Sequence, residues 1–199
     1  MRVVIVSSNP NIDIVNGNNY IIGVDHWCLD LIKNGIKMDV AIGDFDFLTS
    51  DEKKLIKDNC KEYIELSPIK DATDSLAAVR KALEVSVDIL IVGGIKGKRI
   101  EHFLGNLMLV NTYGVKMVDD DTLIYKLTTG EYTFYKDEYK YISFFTLDEA
   151  ELTLEGFKYP LNKYNLFPSD PLCISNEVEE KGKMILKGSI IVIKSKNDA

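Results

Sequence analysis

The acidic residues stand at spacings that chemistry could use. Asp44 and Asp46 are two apart in Gly43-Asp44-Phe45-Asp46. On an extended or turning segment such a pair can point to one side and hold one hard cation. Asp71 and Asp74 flank Thr73 in Lys70-Asp71-Ala72-Thr73-Asp74, and Asp25 follows Gly23-Val24. Carboxylates this close repel one another, and a divalent cation is their natural neutraliser. Plainer accounts stand beside this one. Asp44 and Asp46 could be solvated loop residues, and Asp71 and Asp74 could serve a helix start, where aspartate meets orphan N–H groups and the positive end of the dipole. The complementary charge lies in Gly93-Gly94-Ile95-Lys96-Gly97-Lys98-Arg99-Ile100-Glu101-His102. Its glycines let the backbone approach a ligand and present N–H groups. The helix expected next offers its positive end to anions. Lys96, Lys98 and Arg99 add charge, Arg99 with a bidentate fork. The segment is neither a P-loop nor a dinucleotide fingerprint, and its plain alternative is a flexible basic surface loop. His26 and His102 could act as acid–base groups, although no nucleophile motif adjoins either; a histidine inside a helix, as His102 is expected to be, is more often a structural hydrogen-bonding residue. An acidic rim beside a basic glycine loop points to phosphoryl or pyrophosphoryl transfer from a Mg²⁺-nucleotide.

These clusters need a scaffold that brings them to one edge. Residues 3–7, 20–24, 38–42, 62–66, 88–92 and 115–118 read as strands, the apolar run 3–7 as a strand buried on both faces, 20–24 as a repeat of that pattern, and 88–92 as the least ambiguous of them. Helical segments lie between them, at 27–33, from a Thr49/Glu52 capping box to about 58, from a Thr73 cap to about 84, and over 101–111. The apolar face of the helix after Thr73 is read as Leu76, Ala77, Val79, Ala82 and Leu83, and residues 51–58 as a solvated face. Trp27 and Cys28 are expected to pack helix on sheet. Strand and helix alternating in this way predict an α/β domain with a parallel sheet over residues 1–125. Ligands of such sheets bind at the carboxyl ends of the strands, where the clusters fall. Over 126–199 the pattern changes to short strands at 132–135, 139–146, 151–154, 184–186 and 190–194, after one at 123–127, with turns expected at Thr-Gly, Lys-Asp, Glu-Gly and Lys-Gly pairs. This predicts a small antiparallel all-β domain.

Composition narrows the field further. The chain has 199 residues, 46% of them hydrophobic, enough for one or two compact domains. With 24 basic against 31 acidic residues the net charge is −7, which argues against nucleic acid or an anionic membrane as partner. Nucleotides stay admissible, since a divalent cation can carry their phosphates to an acidic protein. Three widely spaced cysteines suggest neither a disulfide framework nor a zinc site, and two histidines are too few for a histidine-rich metal centre. The first apolar run is too short for a signal peptide and no run is long enough to span a bilayer, so a cytoplasmic protein is expected.

The order of the clusters is similar to that of the thiamine pyrophosphokinase family, whose pattern runs roughly through an acidic turn, GDFDS, KDxTD and GxxGGRxDHxxxN. Here the segments are Gly43 to Phe47, Lys70 to Asp74, and Gly94 to Asn106; Ser175-Asn176 followed by acidic residues and the last strand extend the likeness across most of the chain. Phe47 stands where the pattern has serine, Lys98 where it has glycine and Glu101 where it has aspartate. The resemblance implies a nucleotide-binding α/β domain followed by a β-sandwich, and transfer of the terminal diphosphate of ATP to the hydroxyl of thiamine, leaving AMP. It implies that Asp44, Asp46, Asp71 and Asp74 hold Mg²⁺ and that Arg99 stabilises charge on the triphosphate; on physical grounds a carboxylate of that cluster could also accept the acceptor's hydroxyl proton. Asp25, Lys70, Gly94, Gly97, Lys98, Arg99 and His102 fall with ATP; Glu101, Asn106, Ser175 and Asn176 fall with thiamine, in a pocket at the interface of a homodimer. Three other readings remain open: the same transfer to another hydroxymethyl heterocycle such as a pterin alcohol, a non-catalytic nucleotide- or thiamine-binding regulator, and a sugar-nucleotide transferase using the D-x-D pair, which would release a nucleoside diphosphate rather than AMP. Tyr159 or Tyr164 could offer a π face to a cationic ring, with core packing as the alternative.

Overall fold

The computed structural model describes residues 1–8, 12–15, 17–67, 72–97 and 99–197. Its internal contacts divide the chain into two units, Met1–Asp120 and Asp121–Ala199. In the first, the described strands are β1 (Val3–Val6), β2 (Tyr20–Val24), β3 (Met38–Gly43), β4 (Cys60–Glu65), β5 (Ile89–Val92) and β6 (Lys116–Val118). They lie in the order β4-β3-β2-β1-β5-β6, every neighbouring pair parallel. The interior strands β1 and β5 are buried along their whole length, as unbroken apolar runs require of strands covered on both faces. The chain steps outward from β1 to β4 on one side and then crosses to β5 on the other. That reversal opens a crevice at the carboxyl ends of β1 and β5.

The connecting helices are α1 (Ile12–Val15), α2 (Trp27–Lys33), α3 (Ser50–Asp58), α4 (Asp74–Leu83) and α5 (Ile100–Tyr113). A complete capping box starts α3: the Glu52 N–H donates to Thr49 Oγ1 at 3.3 Å and the Thr49 N–H donates to Glu52 Oε2 at 2.8 Å. The Thr73 hydroxyl caps α4 by accepting from the Leu76 N–H at 3.2 Å. Two expectations are corrected here. The buried stripe of α4 is Ala78, Val79 and Ala82, while Leu83 is 36% exposed. The helical period groups residue 78 with 79 and 82, and small alanines let the helix sit close to the sheet. On α3, Ile56 is fully buried, so that helix is amphipathic rather than wholly solvated.

The second unit is antiparallel. Strand β7 (Thr122–Tyr135) pairs with β11 (Val178–Ser195) over almost its full length. The other edge of β11 takes β9 (Ala150–Phe157) along 183–187 and β8 (Tyr141–Phe145) along 191–195, and β10 (Leu161–Leu166) adds to β9. The expected turns at Thr129-Gly130 and Lys187-Gly188 are not turns: one long strand runs through each pair. The register shifts between Leu186 and Ser189, and Gly188 takes φ +96°. Its N–H donates to Thr129 Oγ1 at 2.9 Å. A bulge of this kind bends a ribbon without ending it. Likewise β9 continues through Glu155-Gly156, and β10 was not expected at all. Met184 and Leu186 on one side of the bend and Ile190 and Val192 on the other enter one core cluster. At its centre Phe134, Phe144 and Phe157 meet edge to face, with centroids 5.6–6.0 Å apart.

Candidate active site

A cleft of about 310 Å³ occupies the crevice where the strand order reverses. Ser7 and Ser8 enter it from the end of β1, Ser75 from the start of α4, and Gly94 to Gly97 from the loop after β5; Arg99, His102 and Asn106 close it from α5. The loop follows the wall closely. Gly93 and Gly94 take φ +87° and +73°; a Cβ on Gly93 would lie 2.1 Å from Ser8 Oγ, and one on Gly94 2.6 Å from Asn106 Nδ2. Only glycine meets both the conformation and the space. Asn106 is buried and donates from Nδ2 to the Gly94 carbonyl at 3.2 Å, which latches the loop to α5. The Ser7 hydroxyl is buried in the wall with no hydrogen-bond partner among the described residues. Lys96 Nζ lies 3.7 Å from Asp119 Oδ2. Arg99 pairs with Glu101, Nε to Oε1 at 2.8 Å, both side chains exposed. That hydrogen bond holds the Glu101 carboxyl below its ordinary range.

The expected acidic residues follow β2 and β3. Asp25 takes φ +50°, donates its N–H to the Ile42 carbonyl at 2.9 Å, and its Oδ2 lies 3.3 Å from His26 Nδ1. At the end of β3 the Gly43 backbone runs against Asp25, so closely that a Cβ would sit 2.9 Å from the Asp25 Cα. Asp44 Oδ1 then accepts a long bond of 3.5 Å from the Asp46 N–H. Between them Phe45 is fully buried at φ +53°, stacked on Tyr63 with centroids 4.8 Å apart. The turn is thereby anchored by the residue between its two carboxylates. Asp74 stands in the first turn of α4. Lys70, Asp71 and Lys98 lie outside the described residues.

Among the described residues no three His, Cys, Asp or Glu side chains gather into a group that could hold a metal ion. The donors at this edge are hard carboxylate oxygens. They suit Mg²⁺, which commonly takes one or two carboxylates and completes its octahedron with water and substrate phosphates.

The second unit has its own pocket, of about 600 Å³, bordered by Tyr159, Pro160, Leu161, Leu172, Ile174 and Ser175, with Cys173 and Asn176 behind. Burial pushes the Cys173 thiol up to about 11. Asn176 is 3% exposed. Its Oδ1 accepts from the N–H groups of Tyr159 at 3.0 Å and Glu177 at 2.9 Å, and its Nδ2 donates to the Tyr159 carbonyl at 2.8 Å. Tyr164 instead packs on the core and bonds to Asp170.

Of the expected residues, the structure brings Gly94, Gly97, Arg99, His102 and Asn106 to the first cleft and Ser175 and Asn176 to the second pocket. Glu101 faces solvent beside Arg99. Ser7, Ser8 and Ser75 border the cleft without being among the residues expected from sequence, and Trp27, expected to pack helix on sheet, borders it too; Cys28 is fully buried as expected. The one available signal was the Ser-Ser pair directly after a strand as apolar as β1.

Both parts of the chain match models of known protein families. Residues 13–119 match the model of the thiamin pyrophosphokinase catalytic domain, and residues 131–187 that of the thiamin pyrophosphokinase vitamin B1 binding domain. The chain is 40% identical over 184 residues to the thiamine pyrophosphokinase of Bacillus subtilis, covering 87% of this chain and 86% of that protein. The crystal structure of the Bacillus subtilis thiamine pyrophosphokinase superposes with a TM-score of 0.88 at 35% identity, over 100% of both chains. A thiamin pyrophosphokinase family protein from Enterococcus faecalis gives 0.87 at 28% identity, again over 100% of both. The enzyme from Candida albicans, at 16% identity, covering 98% of this chain and 90% of that one, shares the fold with a TM-score of 0.75. The chain belongs to the thiamine pyrophosphokinase family.

Proposed function

We propose that the chain transfers the diphosphate of Mg²⁺-bound ATP to the hydroxyl of thiamine, giving thiamine diphosphate and AMP. The observation that carries this reading is the glycine loop at the strand-order reversal, latched by Asn106 and flanked by Lys96 and Arg99, in a chain of this family. Its glycine backbone, the start of the following helix and its cations suit a polyphosphate. In the reaction the acceptor oxygen bonds to the β-phosphorus and the α–β bridging P–O bond breaks. The bridging oxygen leaves with AMP, and the acceptor proton passes to a carboxylate of the acidic edge or to water. Mg²⁺, when bound with the nucleotide, neutralises phosphate oxygens and orients them for in-line displacement. Asp44, Asp46, Asp71 and Asp74 are the residues to hold it. Arg99, once released from Glu101, can meet developing charge on the phosphates with a bidentate fork. Asp25, Lys70, Gly97, Lys98 and His102 complete the nucleotide side; Glu101, Ser175 and Asn176 serve the thiamine side, and Asn106 serves it through the loop. The exposed apolar rim of the second pocket, Tyr159, Leu172 and Ile174, suits cover by a second copy of the chain, so a homodimer is the working form; its expected place is the cytoplasm.

The test is incubation of the purified protein with ATP, Mg²⁺ and thiamine, with AMP and thiamine diphosphate resolved chromatographically. Equal amounts of both establish donor, acceptor and reaction. Turnover only with a pterin alcohol overturns the acceptor, and no metal-dependent turnover with any acceptor overturns catalysis. Asp44→Asn is expected to lower kcat by about 10²–10³-fold with the fold intact. Near-normal turnover would refute the metal role. Arg99→Ala is expected to raise KM for ATP more than KM for thiamine, and the reverse order would remove Arg99 from the phosphates.

A further inference from the structure

The border of the second pocket is built on a strained residue. Ser175 takes φ +58°, a conformation that residues other than glycine adopt only when their surroundings over-determine it. Those surroundings are visible. The Ser175 N–H donates to Ser143 Oγ at 2.9 Å, and Ser143 lies almost buried in β8. On one side the Cys173 carbonyl accepts from the Phe144 N–H at 2.9 Å; on the other Asn176 exchanges two bonds with Ile142, at 2.8 and 2.9 Å. Ser175 is thus stitched to β8 before, at and after its own position, and its side chain is left exposed at the pocket.

Asn176 does the same for the opposite side. Its Oδ1 spends both acceptor sites on the N–H groups of Tyr159 and Glu177, and its Nδ2 spends one donor on the Tyr159 carbonyl. The Tyr159 backbone is therefore held by a reciprocal pair of bonds, as a neighbouring strand would hold it. No acceptor on the carboxamide is left for a ligand. With Asn176 3% exposed, any ligand in this pocket meets the half-exposed Tyr159 ring and the Ser175 side chain instead.

We propose that Ser143 and Asn176 are positioning residues for the acceptor: Ser143 sets Ser175, and Asn176 sets the Tyr159 turn against it, so that together they fix the width of the pocket mouth. This rests on the reading that the pocket takes thiamine, a flat cationic heterocycle for which a tyrosine face and a hydroxyl are suitable partners. A glycine at 175 would relieve the strain and surrender the hydroxyl, so fold and recognition oppose one another at that residue.

The experiment measures kcat and both KM values, with melting temperatures, for the wild type, Ser143→Ala, Ser143→Thr, Asn176→Ala and Ser175→Gly. Ser143→Ala leaves the Ser175 N–H unpaired, Asn176→Ala leaves the Tyr159 N–H and carbonyl and the Glu177 N–H unpaired, and each is expected to raise KM for thiamine about tenfold while KM for ATP stays within about twofold. Ser143→Thr keeps the hydroxyl on a strand and is expected to restore the wild-type value. Ser175→Gly is expected to melt no lower than wild type and yet to raise KM for thiamine. Unchanged KM for thiamine in both alanine variants, a parallel rise in KM for ATP, or failure of the threonine rescue each overturns the positioning role. If Asn176→Ala does not fold, the Ser143 pair decides. A wild type that binds no thiamine by calorimetry overturns the functional reading itself, and the acceptor assignment of the pocket with it. Normal wild-type turnover with unmoved variants overturns only the positioning role.

Discussion

Phe45 is wholly buried and Phe47 is 95% exposed, although only Asp46 separates them. The left-handed backbone of Phe45 turns its ring inward onto Tyr63, 15° from parallel, and that packing fixes the segment carrying Asp44 and Asp46. Burial also pushes the Tyr63 hydroxyl up to about 12. Phe45→Ala is expected to cost about 3–5 kcal/mol in urea unfolding, because a filled core site becomes a cavity. Phe47→Ser is expected to shift stability by no more than about 0.5 kcal/mol, since the ring covers almost nothing. Equal losses in the two variants would mean that the turn is not anchored from inside. Gly94→Ala belongs to the same scale. Its Cβ would press on Asn106 Nδ2 at 2.6 Å and the residue must keep φ +73°, so the loop should leave its latch and KM for ATP should rise. An unaltered KM for ATP would separate the loop from the nucleotide.

The elements differ in how much of themselves they write into local sequence. The capping box of α3 is a four-residue pattern, and both of its hydrogen bonds are present. Thr49→Ala should cost about 1 kcal/mol at neutral pH, measured by urea unfolding. Thr49 holds the Glu52 carboxyl below its ordinary 4.5, so the contribution of this carboxylate is present above pH 4.5 and fades as pH falls through the lower folded value. The runs that became β1 and β5 were equally legible, since a strand buried on both faces needs an unbroken apolar run. Gly130 and Gly188 were not. A glycine marks a turn or a bulge alike, and only pairing with a distant strand decides which. Strand β10, an edge with exposed Asn162, Lys163 and Asn165, lacks the alternation that reveals a half-buried strand. The same division holds at the site. The aspartates and the glycine loop declare themselves by type and spacing. Ser7 and Ser8 meet the glycine loop because β1 lies beside β5, and Ser75 reaches the cleft from the start of α4; no local window contains these neighbourhoods.

Over the whole molecule the three cysteines act as gauges of the two units. Cys28 is fully buried in the first and Cys173 nearly so in the second, with Cys60 half-buried. Burial raises all three thiols, Cys173 up to about 11 and Cys28 further still. Tyr63 in the first unit and Tyr125 in the second are each pushed up to about 12. A thiol or phenol is neutral while protonated, and here the folded chain holds the proton more tightly than the unfolded chain does. These groups therefore stabilise fully below the unfolded values of 9.0 and 10.0 and lose that contribution as pH rises through the folded ones. The urea midpoint should fall steeply between about pH 9 and 11. Cys173→Ala should flatten that fall in the second unit alone. Two units need not unfold together, and the chain supplies a separate probe for each. The single tryptophan, Trp27, reports the first by fluorescence. Alkylation of Cys173, read by mass spectrometry, reports the second. In native protein at pH 7.5 Cys28 and Cys173 should resist alkylation, because burial denies both access and thiolate. Labelling of either at the rate of the unfolded chain would show that its unit opens far more readily than its packing predicts.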